Sequence, residues 1–306
     1  MIPRICLIGA TGFVGKGLIC AAHKREDLKL TLSSRSTDQI QQFLNENDYD
    51  FDTIELNKIK SNQFDIIINA AGVCDPKVIQ ENPELLFKSH RDVDELIIEN
   101  LRAFPKTLFF NLSSGAVYGA DFLEPAPKAI DWNVPDSLED ISGDPASMYS
   151  KTKIFFEKKH RDLKDLNIVD VRLFSIFHRH LNIGAHYFLS QLIESLKNKE
   201  VFVTSTQNIV KDYVHPVDLL NLAIMLWEKG QINCALDLSS AAPVKKSEII
   251  EYFEQKHQLK VEYKEMEFKG TKVNYYSTSK EALELGFSPL GTSLECIAKE
   301  MEHLSF

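Results

Sequence analysis

Arg4-Ile5-Cys6-Leu7-Ile8-Gly9-Ala10-Thr11-Gly12-Phe13-Val14-Gly15 is the stretch that decides the architecture of this chain. A short apolar run of β type meets glycines at 9, 12 and 15, and residues 16–24 then carry a helical pattern. A strand that turns on glycines straight into a helix lets the backbone approach an anion and aims the helix N–H groups at it. Working outward, residues 28–32 read as a second strand and 53–56 as a weak third. Residues 64–69 are almost continuously apolar and end in Ala70-Ala71-Gly72, the pattern of a strand buried on both faces of a parallel sheet. Residues 83–101 are helical, with Leu85, Leu86, Val93, Leu96, Ile97 and Leu101 at helix spacing. A buried strand at 107–112, a helix at 149–163 and a strand at 168–174 continue the alternation. That alternation predicts a doubly wound α/β sheet, mainly parallel, of about seven strands.

After Ser175 the rhythm changes to a helix at 187–197, a strand at 201–203, a helix at 217–228 and a mixed tail from 233. Residues 1–174 plus 209–233 are therefore expected to form the sheet unit, and 175–208 plus 234–306 a smaller α/β unit. Residues 121–146 hold four prolines and seven acidic residues against one lysine, and read as a long surface excursion. At 306 residues the chain has length for two such units. Its 35 Lys+Arg against 44 Asp+Glu leave a net charge of −9, which supplies no basic face for nucleic acid. No apolar run approaches the roughly 20 residues that span a bilayer, and the first residues lead directly into a strand with no room for a leader. Cys6, Cys20, Cys74, Cys234 and Cys296 show neither paired nor metal-like spacing. The expectation is a reduced, cytoplasmic protein with no metal and no membrane or nucleic-acid partner.

Two further motifs carry chemistry. Tyr149-Ser150-Lys151-Thr152-Lys153 puts a phenol and an ammonium on one helix face. A cation beside a tyrosine stabilises the phenolate and moves it toward neutral pH. Upstream, Leu112-Ser113-Ser114-Gly115-Ala116-Val117-Tyr118-Gly119 places a hydroxyl at the end of a buried strand, where it can polarise a carbonyl.

These three motifs, in this order, resemble the extended branch of the short-chain dehydrogenase/reductase superfamily, the NAD-dependent epimerase/dehydratase family. So do Asn69-Ala70-Ala71-Gly72, Val171-Arg172-Leu173-Phe174, the segment from Lys211 to Asp218, and Thr278-Ser279-Lys280 with Leu285-Gly286-Phe287-Ser288-Pro289. The resemblance implies a Rossmann-type sheet with a smaller C-terminal substrate domain, a nucleotide-sugar substrate, and a homodimer built on the helices at 83–101 and 149–163. Ile154, Phe155 and Phe156 run consecutively in the second of these, as expected if sheet and partner are both buried. It implies Ser114 as catalytic hydroxyl, Tyr149 as acid/base, and Lys153 as the residue that also holds the nicotinamide ribose. It assigns the cofactor to Gly9, Thr11, Gly12, Phe13, Val14, Gly15, Asn69, Ala70, Ala71 and Gly72 and to the end of the second strand. Arg179, Asn182 and Lys211 stand where the family grips its substrate, and His186 where some members keep a second proton donor. Cys74 is either a pocket residue or a buried, inert thiol.

Departures from the family pattern narrow the reading. The acidic residue that binds a ribose 2′-hydroxyl is replaced by Ser33, followed by Ser34 and Arg35, a set that suits a 2′-phosphate. NADP(H) is favoured, with NAD(H) the alternative. Gly115 and Ala116 stand where the dehydratases carry an Asp-Glu pair, and Ala116 also replaces the cysteine of the 3,5-epimerases. The expectation is therefore an NADPH-dependent reductase of a keto group at C4 of a nucleotide-linked deoxysugar. Its rivals are a 4-epimerase with tightly held NAD, a non-catalytic NADP-sensing regulator, and a reductase of a ketone that is no sugar.

Overall fold

The computed structural model describes residues 1–181, 187–265 and 272–304. The first half alternates strand and helix: β1 (Arg4–Ile8), α1 (Phe13–Ala22), β2 (Lys29–Ser33), α2 (Thr37–Asn47), β3 (Asp52–Thr53), β4 (Ile66–Asn69), α3 (Pro76–Glu81), α4 (Pro83–Ala103), β5 (Leu108–Ser114), α5 (Pro145–Asp162) and β6 (Ile168–Leu173). Then come α6 (Phe188–Asn198), β7 (Phe202–Ser205), β8 (Val210–Lys211), α7 (Pro216–Glu228), β9 (Asn233–Leu238), β10 (Val244–Lys245), α8 (Lys246–His257), β11 (Val261–Lys264), β12 (Asn274–Tyr275), α9 (Glu281–Glu284) and α10 (Ser293–Met301). Seven strands form a parallel sheet in the order β3-β2-β1-β4-β5-β6-β9. This is the Rossmann-type doubly wound fold, and the crevice between β1 and β4, where strand order reverses, is its ligand position.

The apolar runs reflect burial on both sheet faces. Ile5, Leu7, Leu32, Ile66 and Ile68 pack with Leu18 of α1 and with Leu219 and Leu222 of α7. Cys6, Ile8, Ile67 and Phe109 pack on the other face with Ile97 and Leu101 of α4. Among the described residues no helix is long and apolar enough to cross a membrane.

The expected unit boundary needs correction at both ends of the returning segment. Strand β9 hydrogen-bonds to β6, so residues 234–238 belong to the main sheet rather than to the second unit. Strand β8 instead lies between β10 and β12 in a small three-stranded sheet, while β7 and β11 form a separate pair.

The 121–146 excursion is anchored rather than loose. Phe122 and Ala126 are fully buried beside Tyr118, Ile154, Phe174 and Tyr275. Leu138 and Ile141 cover Leu86 and Phe87 of α4 and Met148 and Phe156 of α5. Ile154 and Phe156 are thus buried, and Phe155 partly so, against the chain's own loop. That run of residues therefore no longer argues for a partner subunit.

A buried ionic chain ties α4, α5 and β6 together. The His160 ring meets Asp170 through Nδ1 at 2.9 Å and Asp94 through Nε2 at 2.6 Å. Burial alone lowers this imidazole, but Asp170 and Asp94 overcome it and push the ring up to about 9. A group raised on folding contributes stability that is complete below the unfolded value near 6.5 and is lost as pH rises through the folded value. The contribution is on the order of 3 kcal/mol. The difference in thermal midpoint between wild type and His160→Gln should therefore shrink from pH 6 to pH 9.5, as thermal melts across that range would show. A constant difference would contradict a charged His160.

Candidate active site

A cleft of about 720 Å³ opens at the β1/β4 crevice, lined by Gly9, Thr11, Gly12, Ser34, Arg35, Ala70, Ala71 and Gly72. Backbone register explains the gathering. Ile8 lies opposite both Ser33 and Asn69, so the turns after β1, β2 and β4 emerge side by side. Gly9 has φ +85°, and a Cβ there would stand 2.6 Å from the Ala70 carbonyl carbon and the Ala71 nitrogen. A Cβ on Gly15 would stand 2.2 Å from the Gly9 oxygen. Backbone thus packs directly on backbone, and Gly12, at the N-cap of α1, offers no side chain to cover the first amides. That cradle fits a dinucleotide pyrophosphate. The Phe13 ring stacks on His178 at 4.1 Å and Val14 packs on the core, so of these two only the amides face the turn.

At the end of β2 the three expected contacts divide. Ser33 is fully buried, its hydroxyl turned away from the cleft and without a partner, while its carbonyl accepts from Gly9 N (3.0 Å) and Ala10 N (3.2 Å). It shapes the glycine loop and is not a ligand contact. Ser34 donates to the Ser36 carbonyl at 2.7 Å, and Arg35 stands exposed at the cleft rim. Asn69 is likewise structural. Its amide donates to Asn111 Oδ1 at 3.0 Å and its oxygen accepts from Ala71 N at 3.1 Å. The cleft also takes in Ser36 and Gln39 at the start of α2, and Lys88 and Ser89, which the sequence reading missed because α4 lies far away in the chain.

Ser114 closes β5, and its hydroxyl accepts from Ala116 N at 3.1 Å. Neighbouring Ser113 points the other way and donates to Glu157 at 2.5 Å, which leaves Ser114 as the hydroxyl on the site's side. Asp144 caps α5 by accepting from Ala146 N and Ser147 N, both at 3.0 Å, and Tyr149 and Lys153 follow one turn apart. Lys153 Nζ donates to the Leu112 carbonyl at 2.9 Å and lies 5.7 Å from the centre of the Tyr149 ring.

The electrostatics correct the expectation drawn from spacing. Burial raises the Tyr149 phenol above its ordinary range, helped by Cys74 and Tyr275 and opposed by the Ser114 hydroxyl. Burial also brings Lys153 down to about 8, against the pull of Cys74, Asp170 and Glu157. Tyr149 is therefore a protonated phenol at neutral pH, suited to giving a proton. Beneath the site, Arg172 pairs with Glu157 at 2.7 Å and donates to Tyr118 at 2.8 Å, and Tyr118 donates to Asp237 at 2.9 Å.

Among the expected substrate residues, Cys74 is solvent-exposed rather than a buried thiol. Lys211, set in β8, is brought down by burial and by the neighbouring ammonium of Lys272. Arg179 is paired with α10. Its guanidinium forks onto Glu300 at 2.8 and 2.9 Å, which ties the entry of the second unit to α10. Asn182 and His186 lie outside the described residues. Tyr275, which no local pattern singled out, comes in from β12 to pack against Phe122 and Phe174.

Residues 5–235 match the model of the NAD dependent epimerase/dehydratase family. No curated protein matches the sequence. Similar solved structures include a UDP-glucose-4-epimerase from Stenotrophomonas maltophila with bound NAD and formylated UDP-arabinopyranose, 15% identical with a TM-score of 0.78 over 98% of this chain and 97% of that one. Another is a UDP-N-acetylglucosamine 4-epimerase from Methanobrevibacter ruminantium M1 in complex with UDP-N-acetylmuramic acid, 17% identical with a TM-score of 0.77 over 99% of each chain. A third is an ADP-L-glycero-D-manno-heptose-6-epimerase from Helicobacter pylori, 17% identical with a TM-score of 0.75 over 99% of this chain and 96% of that one. With the glycine cradle, the Ser114–Tyr149–Lys153 cluster and a family match over most of its length, the chain belongs to the NAD dependent epimerase/dehydratase family.

Proposed function

We propose that the protein reduces a keto group, at C4, on a nucleotide-linked deoxysugar, with NADPH as the reductant. The observation that carries this reading is the convergence of Ser114, Tyr149 and Lys153 beside the cleft, with Gly115 and Ala116, which move no proton, as the next residues. A bound nicotinamide cofactor supplies the hydride. Tyr149 gives its proton to the oxygen that becomes an alcohol, and Ser114 donates a hydrogen bond to the same oxygen as charge develops. Lys153 holds the ribose hydroxyls next to the phenol. Lys211 and Lys272 supply two neighbouring cations for a diphosphate.

The preference for NADPH rests on the rim of the cleft, where Arg35 and Lys88 are exposed and no carboxylate ends β2. A charge-assisted contact to a phosphate contributes about 1.5–3 kcal/mol. Arg35→Ala should therefore weaken NADPH roughly ten- to a hundredfold and leave NADH almost unmoved in a fluorescence titration. Equal loss for both cofactors would remove Arg35 from the 2′-phosphate.

The alternative is a 4-epimerase that uses the same three residues and returns its hydride within each turnover. It is favoured by the similar structures, which include 4-epimerases crystallised with NAD. Mass spectrometry of what the purified protein carries separates the two. Exchangeable or absent cofactor supports the reductase, whereas stoichiometric retained NAD supports the epimerase.

A further inference from the structure

Gly17 is a glycine that the dinucleotide turn does not call for. It lies inside α1, away from the cleft lining, where glycine is a poor helix residue. The space beside it is taken by His178, fully buried in the segment that leaves β6 for α6. A Cβ on Gly17 would stand 2.6 Å from His178 Cδ2 and 3.0 Å from its Nε2. Seated there, the ring stacks on Phe13 at 4.1 Å. Its Nδ1 accepts from His180 N at 3.2 Å, which places the proton on Nε2. Nε2–H in turn donates to the Phe13 carbonyl at 2.8 Å. Arg179, the next residue, forks onto Glu300 of α10, and Glu300 also meets His215 Nε2 at 3.0 Å, at the N-terminus of α7.

We propose that His178 is a positioning residue for the dinucleotide cradle: it clamps the first turn of α1 to the chain entering the smaller unit and so fixes the amides after Gly12 against the pyrophosphate. This rests on the reading of the cleft as a dinucleotide site. Phe13 is the first residue of α1, so its peptide group belongs to the turn whose N–H groups meet the anion. Held by its carbonyl and its ring, that turn cannot tilt without dragging His178 and, through Arg179, α10. His178 does not line the cleft. Its influence falls on the pyrophosphate, which NADPH and NADH share, whereas that of Arg35 falls on the 2′-phosphate alone.

Fluorescence titration of His178→Leu with both cofactors tests this. NADPH and NADH should weaken together, each roughly three- to tenfold, as expected for one lost hydrogen bond. His178→Gln, whose side-chain amide can donate in place of Nε2, should recover most of that loss. A leucine variant that binds both cofactors as the wild type does would overturn the proposal. So would leucine and glutamine variants equally impaired, which would make His178 a packing residue only. A second measurement needs no variant to fold: nitrogen magnetic resonance of wild-type protein isotope-labelled at the histidine rings. His178 should show the Nε2–H tautomer, and saturating NADPH or NADH should shift its Nε2 resonance. Cofactor binding without that shift would overturn the proposal alone. Failure of both cofactors to bind would overturn it together with the reading of the cleft.

Discussion

Tyr149→Phe is expected to lower turnover roughly 10²- to 10⁴-fold while leaving NADPH affinity within about twofold. The ring fills the same space, so packing survives, but the only proton that burial holds on the phenol at neutral pH is gone. Because that phenol lies above its ordinary range, wild-type turnover should not fall on the acid side through loss of Tyr149. The depressed Lys153 is the group that titrates near pH 8, and its loss of charge should weaken cofactor binding as pH rises through that value. Steady-state rates alongside equilibrium titration from pH 6 to 9 check both statements. A Tyr149→Phe protein with wild-type kcat would place the proton donor elsewhere.

Gly15→Ala should be nearly as damaging, through cofactor binding rather than chemistry. The new Cβ would sit 2.2 Å from the Gly9 oxygen and 2.8 Å from the Ala10 Cα, all backbone, so α1 must move off the loop that cradles the pyrophosphate. Overpacking of this kind costs about 1–3 kcal/mol of stability. Separating the loop from the helix end should weaken NADPH at least roughly a hundredfold. Gly12→Ala is the internal comparison, because its Cβ would stand 3.3 Å from the Gly9 oxygen and needs only a small adjustment. Calorimetric titration of the two variants should rank them in that order, and equal affinities would remove the close approach as the reason for Gly15.

Strands β1 and β4 were legible because burial on both faces of a parallel sheet makes nearly every residue apolar. Helix α2 was not, since it buries only Ile40, Phe43 and Leu44 and is otherwise polar. Strand β9 was placed in the second unit from residue 234 on because the strand–helix alternation had already broken after Ser175 and the tail from 233 showed no single pattern. Its Asp237 is buried, accepting from Tyr118 at 2.9 Å and Ser277 at 2.5 Å. Within the site, the spacing of Ser114, Tyr149 and Lys153 was plain, but their protonation depends on burial that no local pattern encodes. The end of β2 shows the same limit in miniature. Position pointed to Ser33, Ser34 and Arg35, whereas the strand ends at Ser33 with its side chain buried, and only the two residues beyond the strand reach the cleft. Tyr275 is silent in the sequence because it is brought to Phe122 and Phe174 only by the pairing of β12 with β8.

The central claim, that Ser114, Tyr149 and Lys153 serve a net reduction, is tested most directly by mixing the protein with NADPH and a nucleotide-linked 4-keto-6-deoxysugar. Absorbance of the reduced nicotinamide is followed while the sugar products are separated. The account predicts one NADPH oxidised for each 4-hydroxy product formed. Interconversion of two 4-hydroxy sugars with no net change in NADPH would contradict it and make the protein an epimerase.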